Sequence, residues 1–461
     1  MQISNLSLIQ RSSILNINED HFHDIKGKDI KPSKLSESIS AFANADGGEI
    51  YIGIEEDKSI TPKQRTWRGF ADIEEANAFL QMLNQIAPLV DFLNLSFLES
   101  EGDSGLVLKI EILKNSAITK STDGKIFIRK GAQKIPVDTD EALERLKLDK
   151  GVSSYEDYAV NTGLSDVTNS STIIEFLINV IPTAEPEAWL QKQKLIVNEK
   201  PTVAGVLLFS EEPQITLPKR SAIKVFRYKT HELTPEREHL AFTPITIEGC
   251  AYTLIYRAVS KTQEIIEAMK LLGETGFVDV QYPIETLHEI ITNAVLHRDY
   301  SVAADIQIRI FDNRIEVESP GRLPGHVTIK NILDTQFARN QRLVRLINKF
   351  PNPPNKDVGE GLNAAFDAMR KLRLKDPEIT ELPSSVLITI PHQKLASPQE
   401  SIMEYLETNP EITNRKARIL CGVKSENSMK GIFKRMQEKS LIEPVPGRTR
   451  FKFAWRKRIK V

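Results

Sequence analysis

Cysteine is scarce in this sequence, and its scarcity excludes two kinds of fold. Only Cys250 and Cys421 occur among 461 residues, and they stand far apart, outside any spacing that zinc ligands adopt. A disulfide-stapled scaffold and a zinc finger are therefore excluded, and the composition suits a reducing compartment. We expect a cytoplasmic protein.

Long apolar runs are missing as well. No run of about 18 apolar residues occurs, and the opening stretch MQISNLSLIQRSS has neither the basic start nor the apolar core of a signal peptide. We therefore expect neither a membrane span nor export. The pattern G-x-x-x-x-G-K-[ST] is also absent, so nothing supports a helicase motor of the P-loop type.

The chain has almost no net charge, −1 from 61 Lys and Arg against 62 Asp and Glu. Attraction to a polyanion therefore needs a local excess of basic residues. One such excess lies at the C-terminal end, where residues 397–461 hold 15 Lys and Arg against 7 Asp and Glu, a net charge of +8.

The pattern of the chain predicts a multidomain α+β fold. The length suits roughly three domains of about 150 residues. We predict an α+β domain over residues 1–150, a connector and α/β bridging region over 151–280, an α/β domain over 281–394, and a basic helical domain over 395–461. The predicted elements include a helix over 34–44, buried strands over 202–210 and 222–228, and long helices over 247–272 and from residue 284.

Three acids, Glu19, Asp24 and Glu56, stand out in the first domain. They flank the segment SAFANADGGEIYIGIEED of residues 40–57. Carboxylates on adjoining elements suit Mg²⁺ or Mn²⁺, which prefer oxygen ligands, and such a metal can activate water against a phosphodiester. Spacing alone favours a solvated set of surface charges over a metal site.

Several motifs of this domain resemble the Schlafen-type AlbA domain. They are the stretch EDHFHDIK from Glu19 to Lys26, AFANADGG before a strand, and FIRKG from Phe127 to Gly131. The resemblance implies a metal-dependent acidic triad that cuts RNA, and the triad falls on Glu19, Asp24 and Glu56. Asp24 stands where the family has Glu, and Glu56 where it has Asp. Lys26 matches the family's Lys and is expected to contact a phosphate.

The central domain carries a second group of polar residues, Glu289, Asn293 and His297. The spacing i, i+4, i+8 places them on one face of a helix, where they form either a site or a solvent-facing stripe. Their sequence EIITNAVLH resembles the N-box of the GHKL ATPases. Residues 283–390 resemble the divergent GHKL-like domain that follows AlbA domains in bacterial proteins labelled RecG-like or transcriptional regulators.

This second resemblance implies an ATP site. Glu289 would polarise water, Asn293 would hold Mg²⁺, and Gly321, Gly359 and Gly361 would surround the nucleotide. A glycine turn that opens a helix presents N–H groups to phosphates. The stretch from Glu318 to Gly321 departs from the usual D-x-G-x-G loop that reads adenine. We expect Arg298, Arg339 and Arg342 nearby to form surface ion pairs.

The basic C-terminal segment has the pattern of a winged helix-turn-helix. Helices are predicted over 397–407, 413–420 and 425–439, followed by a β-wing. The expected nucleic-acid contacts are the basic residues of the third helix and the wing, namely Lys424, Lys430, Lys434, Arg435, Arg448 and Arg450. A winged helix used for protein contact is the alternative.

Two functions from different classes follow. The first is a metal-dependent nuclease, with RNA as the favoured substrate, regulated by ATP binding and conceivably part of anti-phage defence. The second is a nucleotide-sensing DNA-binding transcriptional regulator without catalytic activity. A third hypothesis is an assembly scaffold in which both sites are degenerate. The sequence does not decide whether the protein forms a homo-oligomer.

Overall fold

The structure is a computed structural model with side chains. It describes residues 2–57, 64–86, 89–217, 220–273, 276–279, 282–354, 361–372, 374–392, 398–421, 423, 425–448 and 453–458. The chain forms two compact units, the first made of residues 1–368 and 377–390, the second of 369–376 and 391–461. Within the described ranges, no helix is both long and apolar enough to cross a membrane.

The first 150 residues form an α+β region. Its elements are β1 (Gln2–Leu6), α1 (Leu8–Leu15), β2 (His23–Lys26), α2 (Pro32–Ala43), β3 (Gly48–Ile52), β4 (Ile54–Asp57), β5 (Gln64–Trp67), α3 (Asn77–Gln85), β6 (Leu93–Ser100), β7 (Val107–Ile112), β8 (Phe127–Lys130), β9 (Gln133–Pro136) and α4 (Asp140–Lys150). Five strands make one sheet in the order β1-β6-β7-β3-β2, and β8 and β9 form a hairpin beside α2.

Helix α2 packs its apolar face on this sheet. Leu35, Ile39 and Phe42 recur at helical spacing and are fully buried in one core with strand β3. The turn into β3 requires glycine, because a Cβ on Gly48 would lie 2.6 Å from the ring of Phe42 and its φ is +145°. The helix and the glycine turn thus place β3 directly beside β2, the strand that carries Asp24.

The rest of the first unit comprises a helical bridging region and a sheet domain. The elements are α5 (Ser165–Thr168), α6 (Ser171–Val180), α7 (Pro186–Lys192), β10 (Ile196–Val197), β11 (Lys200–Pro201), α8 (Val203–Phe209), α9 (Pro213–Thr216), β12 (Ile223–Arg227), β13 (Ile245–Ile247), α10 (Ala251–Glu267), β14 (Lys270–Gly273), β15 (Gly276–Asp279), α11 (Ile284–Leu296), β16 (Ile306–Ile310), β17 (Arg314–Pro320), α12 (Gln341–Ile347), α13 (Gly361–Lys371), β18 (Glu378–Glu381) and β19 (Ser385–Pro391).

A six-stranded sheet organises the central domain, in the order β13-β12-β16-β17-β19-β18. Helices α10 and α11 pack against each other and against strands β12 and β17. Strand β12 lies before the predicted domain of residues 281–394, yet it belongs to the same sheet, because it pairs in parallel with β16. The bridging region therefore contributes to the same sheet as the GHKL-like segment.

The strand predicted over residues 202–210 is wrong, because Val203–Phe209 is helix α8. Thr202 caps the helix by accepting a hydrogen bond from the N–H of Gly205 at 3.2 Å. All seven helical residues are buried, so no polar face reveals the helical period. A short, wholly apolar run cannot be assigned to helix or strand by periodicity.

The second unit has the element order helix, strand, helix, helix, strand, strand. The bounds are α14 (Pro398–Thr408), β20 (Ile412–Thr413), α15 (Asn414–Cys421), α16 (Glu426–Glu438), β21 (Ile442–Pro444) and β22 (Ala454–Lys457). The three strands form one sheet in the order β20-β22-β21. Its small core includes Ile402, Met429 and Phe433.

Candidate functional site

The first two predicted acids, Glu19 and Asp24, share one lysine. Asp24 and Lys26 are two positions apart on strand β2 and therefore lie on the same face of it. The Nζ of Lys26 is 2.5 Å from Oδ1 of Asp24 and 3.7 Å from Oε1 of Glu19. The ammonium of Lys26 thus supplies a positive charge between these two carboxylates. A phosphate, which Lys26 is expected to contact, would have to compete with Asp24 and Glu19 for it.

A buried arginine also faces Asp24. NH1 of Arg129 lies 3.6 Å from Oδ2 of Asp24, and its NH2 donates to the carbonyls of Asp20 and His23 at 2.7 and 2.9 Å. Burial raises the pKa of Asp24 although Lys26 and Arg129 act against it. Burial acts in the same direction on Glu19, but there Lys26 and the N–H of Ile25 prevail and lower the pKa.

The third predicted acid, Glu56, belongs to a different ion pair. Its Oε1 is 3.6 Å from NH2 of Arg65, and the charge of Arg65 also acts on Glu19. Within the described residues, no three His, Cys, Asp or Glu side chains form a group that could hold a metal ion. The predicted triad is brought into one region, but as arranged it does not fit a divalent metal, because basic groups pair with all three acids.

The central domain contains a cavity of about 460 Å³ that brings together most of the predicted ATP-site residues. Glu289 and Asn293 reach it from helix α11, and Gly361 from the start of α13. His297 lies directly after α11, and Gly321 directly after β17. Nδ2 of Asn293 donates to Oε1 of Glu289 at 2.8 Å. Gly359 lies outside the described residues.

Glu289 and Gly361 lie in close contact. A Cβ on Gly361 would lie 2.3 Å from Oε1 of Glu289, so a larger residue at this position would displace the carboxylate from the start of α13. Burial raises the pKa of Glu289, against the hydrogen bond from Asn293. Burial also lowers the pKa of His297 to about 4, helped by the charge of Arg339, so His297 is neutral at pH 7.

The cavity departs from an adenine-reading site at its Gly321 end. The Glu318 carboxylate is engaged away from the cavity, with Arg309 NH1 at 2.7 Å and the Ser385 hydroxyl at 2.7 Å. Ser319 lines the cavity and donates its hydroxyl to the carbonyl of Ala294 at 2.7 Å. Among the described residues that line the cavity, the one carboxylate is that of Glu289.

The expectation that the three nearby arginines form surface ion pairs is wrong for two of them. Arg298 is fully buried, and its NH2 donates to the carbonyls of Arg220, Val302 and Ala304. Arg339 is 8% exposed and pairs with Asp299 at 3.3 Å. Only Arg342 forms a partly exposed pair, with Asp157.

In the second unit, two of the predicted nucleic-acid contacts are engaged in ion pairs. Lys430 pairs with Glu426 at 2.7 Å and Arg448 with Glu411 at 2.8 Å. Lys434 and Arg435 are exposed on helix α16. Lys424 and Arg450 lie outside the described residues.

The sequence did not reveal a group of charged residues beside the cavity. Asp46 of the glycine turn, Lys114 after β7, Arg322 in the cavity wall and Glu381 on β18 form one ion-pair cluster. We call it the junction cluster. Its members are widely separated in the chain, so neither spacing nor periodicity links them.

The protein has a multidomain α+β fold with a cavity in its central domain. Two segments of the chain match known families. Residues 19–138 match the family described as Schlafen, AlbA_2, and residues 303–390 match the one described as Putative ATP-dependent DNA helicase recG C-terminal. The chain therefore contains a Schlafen AlbA_2 domain followed by a GHKL-like domain of the RecG C-terminal type. This architecture confirms both resemblances and indicates a function related to nucleic acid.

The chain is also similar to a solved structure. The crystal structure of the DIP2311 protein from Corynebacterium diphtheriae aligns with 98% of this chain and 96% of its own, with 18% identity and a TM-score of 0.41. No curated protein matches the sequence.

Proposed function

We propose that this protein binds ATP in the cavity of its central domain and uses the bound nucleotide to control contact with nucleic acid. The observation that carries the proposal is the convergence of Glu289, Asn293 and Gly361 on one cavity. These residues come from a helix and a glycine-led helix start that are about 70 residues apart in sequence. Their meeting gives the cavity a polar end, while Val317, Leu323 and Ile388 are among its many apolar lining residues.

The polar end has the groups that a triphosphate needs. Helix α13 begins at Gly361, and a helix start presents backbone N–H groups and a positive dipole end to phosphate. The amide oxygen of Asn293 would hold Mg²⁺, which would neutralise phosphate charge. Glu289, whose pKa is raised by burial, would accept a proton from water at the end of the cavity where Gly361 lies. The apolar lining would enclose the base.

Calorimetric titration with a non-hydrolysable ATP analogue and Mg²⁺ tests this proposal. We expect Asn293→Ala to weaken binding by about tenfold or more, the equivalent of about 1.4 kcal/mol. The matched control is Asn179→Ala, which alters an exposed asparagine outside the cavity and should bind like the unaltered protein. Absence of binding to the unaltered protein would overturn the proposal.

The second unit supplies the surface that we propose for duplex DNA, which makes the protein a nucleotide-sensing regulator. Its element order and its three-stranded sheet support a winged helix-turn-helix, in which the third helix would enter the major groove. That helix would be α16, where Lys434 and Arg435 are exposed and Asn427 and Ser428 are exposed near its start. Lysine and arginine contact phosphates, and polar side chains at the helix start read base edges.

A metal-dependent nuclease, with RNA as substrate, is the second candidate. It is supported by the AlbA_2 match over residues 19–138, and it requires Lys26 and Arg65 to release Glu19, Asp24 and Glu56, with which they now pair. Because Lys26 competes for Glu19 and Asp24, we expect Lys26→Met to raise the Mn²⁺ affinity of the chain about tenfold. Calorimetry with Mn²⁺ measures this change.

The controls for this candidate use its acids. Adding Glu19→Gln to Lys26→Met should cancel the gain in Mn²⁺ affinity, because it removes one ligand. RNA cleavage, if it requires this region, should need Mg²⁺ or Mn²⁺ and should be lost in Glu19→Gln, Asp24→Asn and Glu56→Gln. An Mn²⁺ affinity that Lys26→Met leaves unchanged, together with undiminished cleavage in all three acid variants, would exclude the candidate.

A further inference from the structure

One wall of the nucleotide cavity is held from outside by the AlbA_2 domain. Residues 321–324 line the cavity. NH1 of Arg322 lies 2.9 Å from Oδ2 of Asp46, and Nε of the same side chain lies 3.3 Å from Oε1 of Glu381. The guanidinium of a cavity-lining residue is therefore shared between the AlbA_2 domain and strand β18.

The neighbouring wall residue, Leu323, is fixed through its backbone. Its carbonyl accepts a hydrogen bond from Nζ of Lys114 at 3.0 Å, and its N–H donates to Oε1 of Glu381 at 3.0 Å. Lys114 also lies 3.2 Å from Oδ1 of Asp46. The wall segment and the turn after α2 are thus joined by alternating acids and bases, of which Asp46 and Lys114 are each about nine-tenths buried.

The same turn connects to the acidic region of the AlbA_2 domain. Nε2 of His21 is 2.7 Å from Oδ2 of Asp46, and His21 stands two residues after Glu19. Oδ2 of Asp46 is therefore shared between Arg322 of the cavity wall and His21, which lies two residues before strand β2. A shift of the wall by a fraction of a hydrogen-bond length changes contacts on both sides, because buried ion pairs depend steeply on geometry.

A second set of hydrogen bonds joins the residue after the wall to helices α4 and α2. The N–H of Gly325 donates to the carbonyl of Asp149 at 3.1 Å, at the end of helix α4. Nζ of Lys150, the last residue of α4, donates to the carbonyl of Ala43 at 2.6 Å, at the end of helix α2. These hydrogen bonds do not involve Asp46, so we expect them to keep the two domains together when Asp46 is replaced, and a variant at Asp46 then tests transmission and not domain contact.

We propose that the junction cluster transmits occupancy of the cavity to the AlbA_2 domain, with Asp46 as the positioning residue. A ligand that contacts residues 321–324 stabilises one arrangement of the wall and, through Arg322, one arrangement of the turn that holds Asp46. By linkage, a ligand of the AlbA_2 domain alters nucleotide affinity by the same factor. The inference rests on the proposed nucleotide binding and names how that site is regulated.

Hydrogen exchange on the full chain tests the proposal, with and without the ATP analogue and Mg²⁺. Peptides from residues 284–296 and 361–372 report cavity occupancy, and a peptide from residues 40–52 reports the AlbA_2 turn. In the unaltered protein we expect slower exchange in all three peptides, at least about fivefold in the turn. In Asp46→Asn, the two cavity peptides should still respond and the turn should not.

Three further variants make the result specific. Arg322→Gln breaks the same contact from the other side and should also remove the response of the turn. Asp46→Glu keeps the carboxylate and should retain it. Asp103→Asn is the matched control, because Asp103 pairs with Arg11 elsewhere in the same domain, and it should behave like the unaltered protein.

The outcomes separate the inference from the proposed function. If no peptide responds in the unaltered protein, nucleotide binding itself fails. If the cavity peptides respond and the turn does not, the inference is overturned while nucleotide binding stands. A turn that still responds in both Asp46→Asn and Arg322→Gln overturns the inference equally.

Discussion

Arginines near the cavity show how much a single residue's environment changes its role. Arg298 follows His297 directly, yet it is fully buried, and its guanidinium donates to the backbone carbonyls of Arg220, Val302 and Ala304. Arg342 is partly exposed and paired with Asp157. Both are arginines of the same domain, but of the two only Arg298 is fully buried and joins three backbone carbonyls.

This contrast makes a stability prediction. We expect Arg298→Met to lower the free energy of unfolding by about 3 kcal/mol, because it removes a fully buried guanidinium with its hydrogen bonds to three backbone carbonyls. The same substitution at Arg342 removes a partly exposed ion pair and should cost about 0.5 kcal/mol or less. Urea unfolding followed by circular dichroism measures both changes. Equal losses in the two variants would contradict the burial argument.

Ion pairing also explains why the predicted metal triad could not be judged from the sequence. The resemblance identified Glu19, Asp24 and Glu56, and the fold does place them in one region. The competing cations could not be foreseen in full, because Arg129 approaches from the β8–β9 hairpin and Arg65 from β5. Only Lys26, two residues from Asp24, was visible as a neighbour.

At the scale of elements, periodic patterns predicted the fold well where an element has two unlike faces. Helix α2 and the position of Glu289 and Asn293 on α11 follow from residues that recur every three or four positions. Helix α8 was mistaken for a strand because it is apolar all round. The pairing of β12 with β16 could not be predicted either. A stretch of 78 residues separates the end of β12 from the start of β16, and no local sequence rule determines which distant strand pairs with β12.

Contacts between domains were the part that the sequence could not supply. Gly361 was predicted from its place before a helix, whereas the contact between Arg322 and Asp46 depends on how two domains pack. In the AlbA_2 motif, Asp46 had an adequate local explanation as a turn residue. Its contacts with His21, Lys114 and Arg322 give it a second role that only three-dimensional packing shows.

At the scale of the whole molecule, charge is distributed unevenly. The chain has a net charge of −1, yet residues 397–461 carry +8, so the remainder carries −9. The whole basic segment belongs to the second unit. A nucleic acid is therefore attracted to one end of the chain and repelled on average by the rest, and loss of a basic side chain should matter most in the second unit.

This asymmetry gives a test of DNA binding with matched changes of charge. We expect Lys434→Ala with Arg435→Ala to weaken duplex binding and to reduce the slope of log affinity against log salt by about 2, since each lost phosphate contact removes about 0.9. Lys192→Ala with Lys194→Ala changes net charge equally at exposed sites in the first unit and should leave the slope unchanged. Fluorescence anisotropy over a salt series measures both. Equal slopes for the two double variants would show that the overall charge of the chain, and not the surface of α16, governs the interaction.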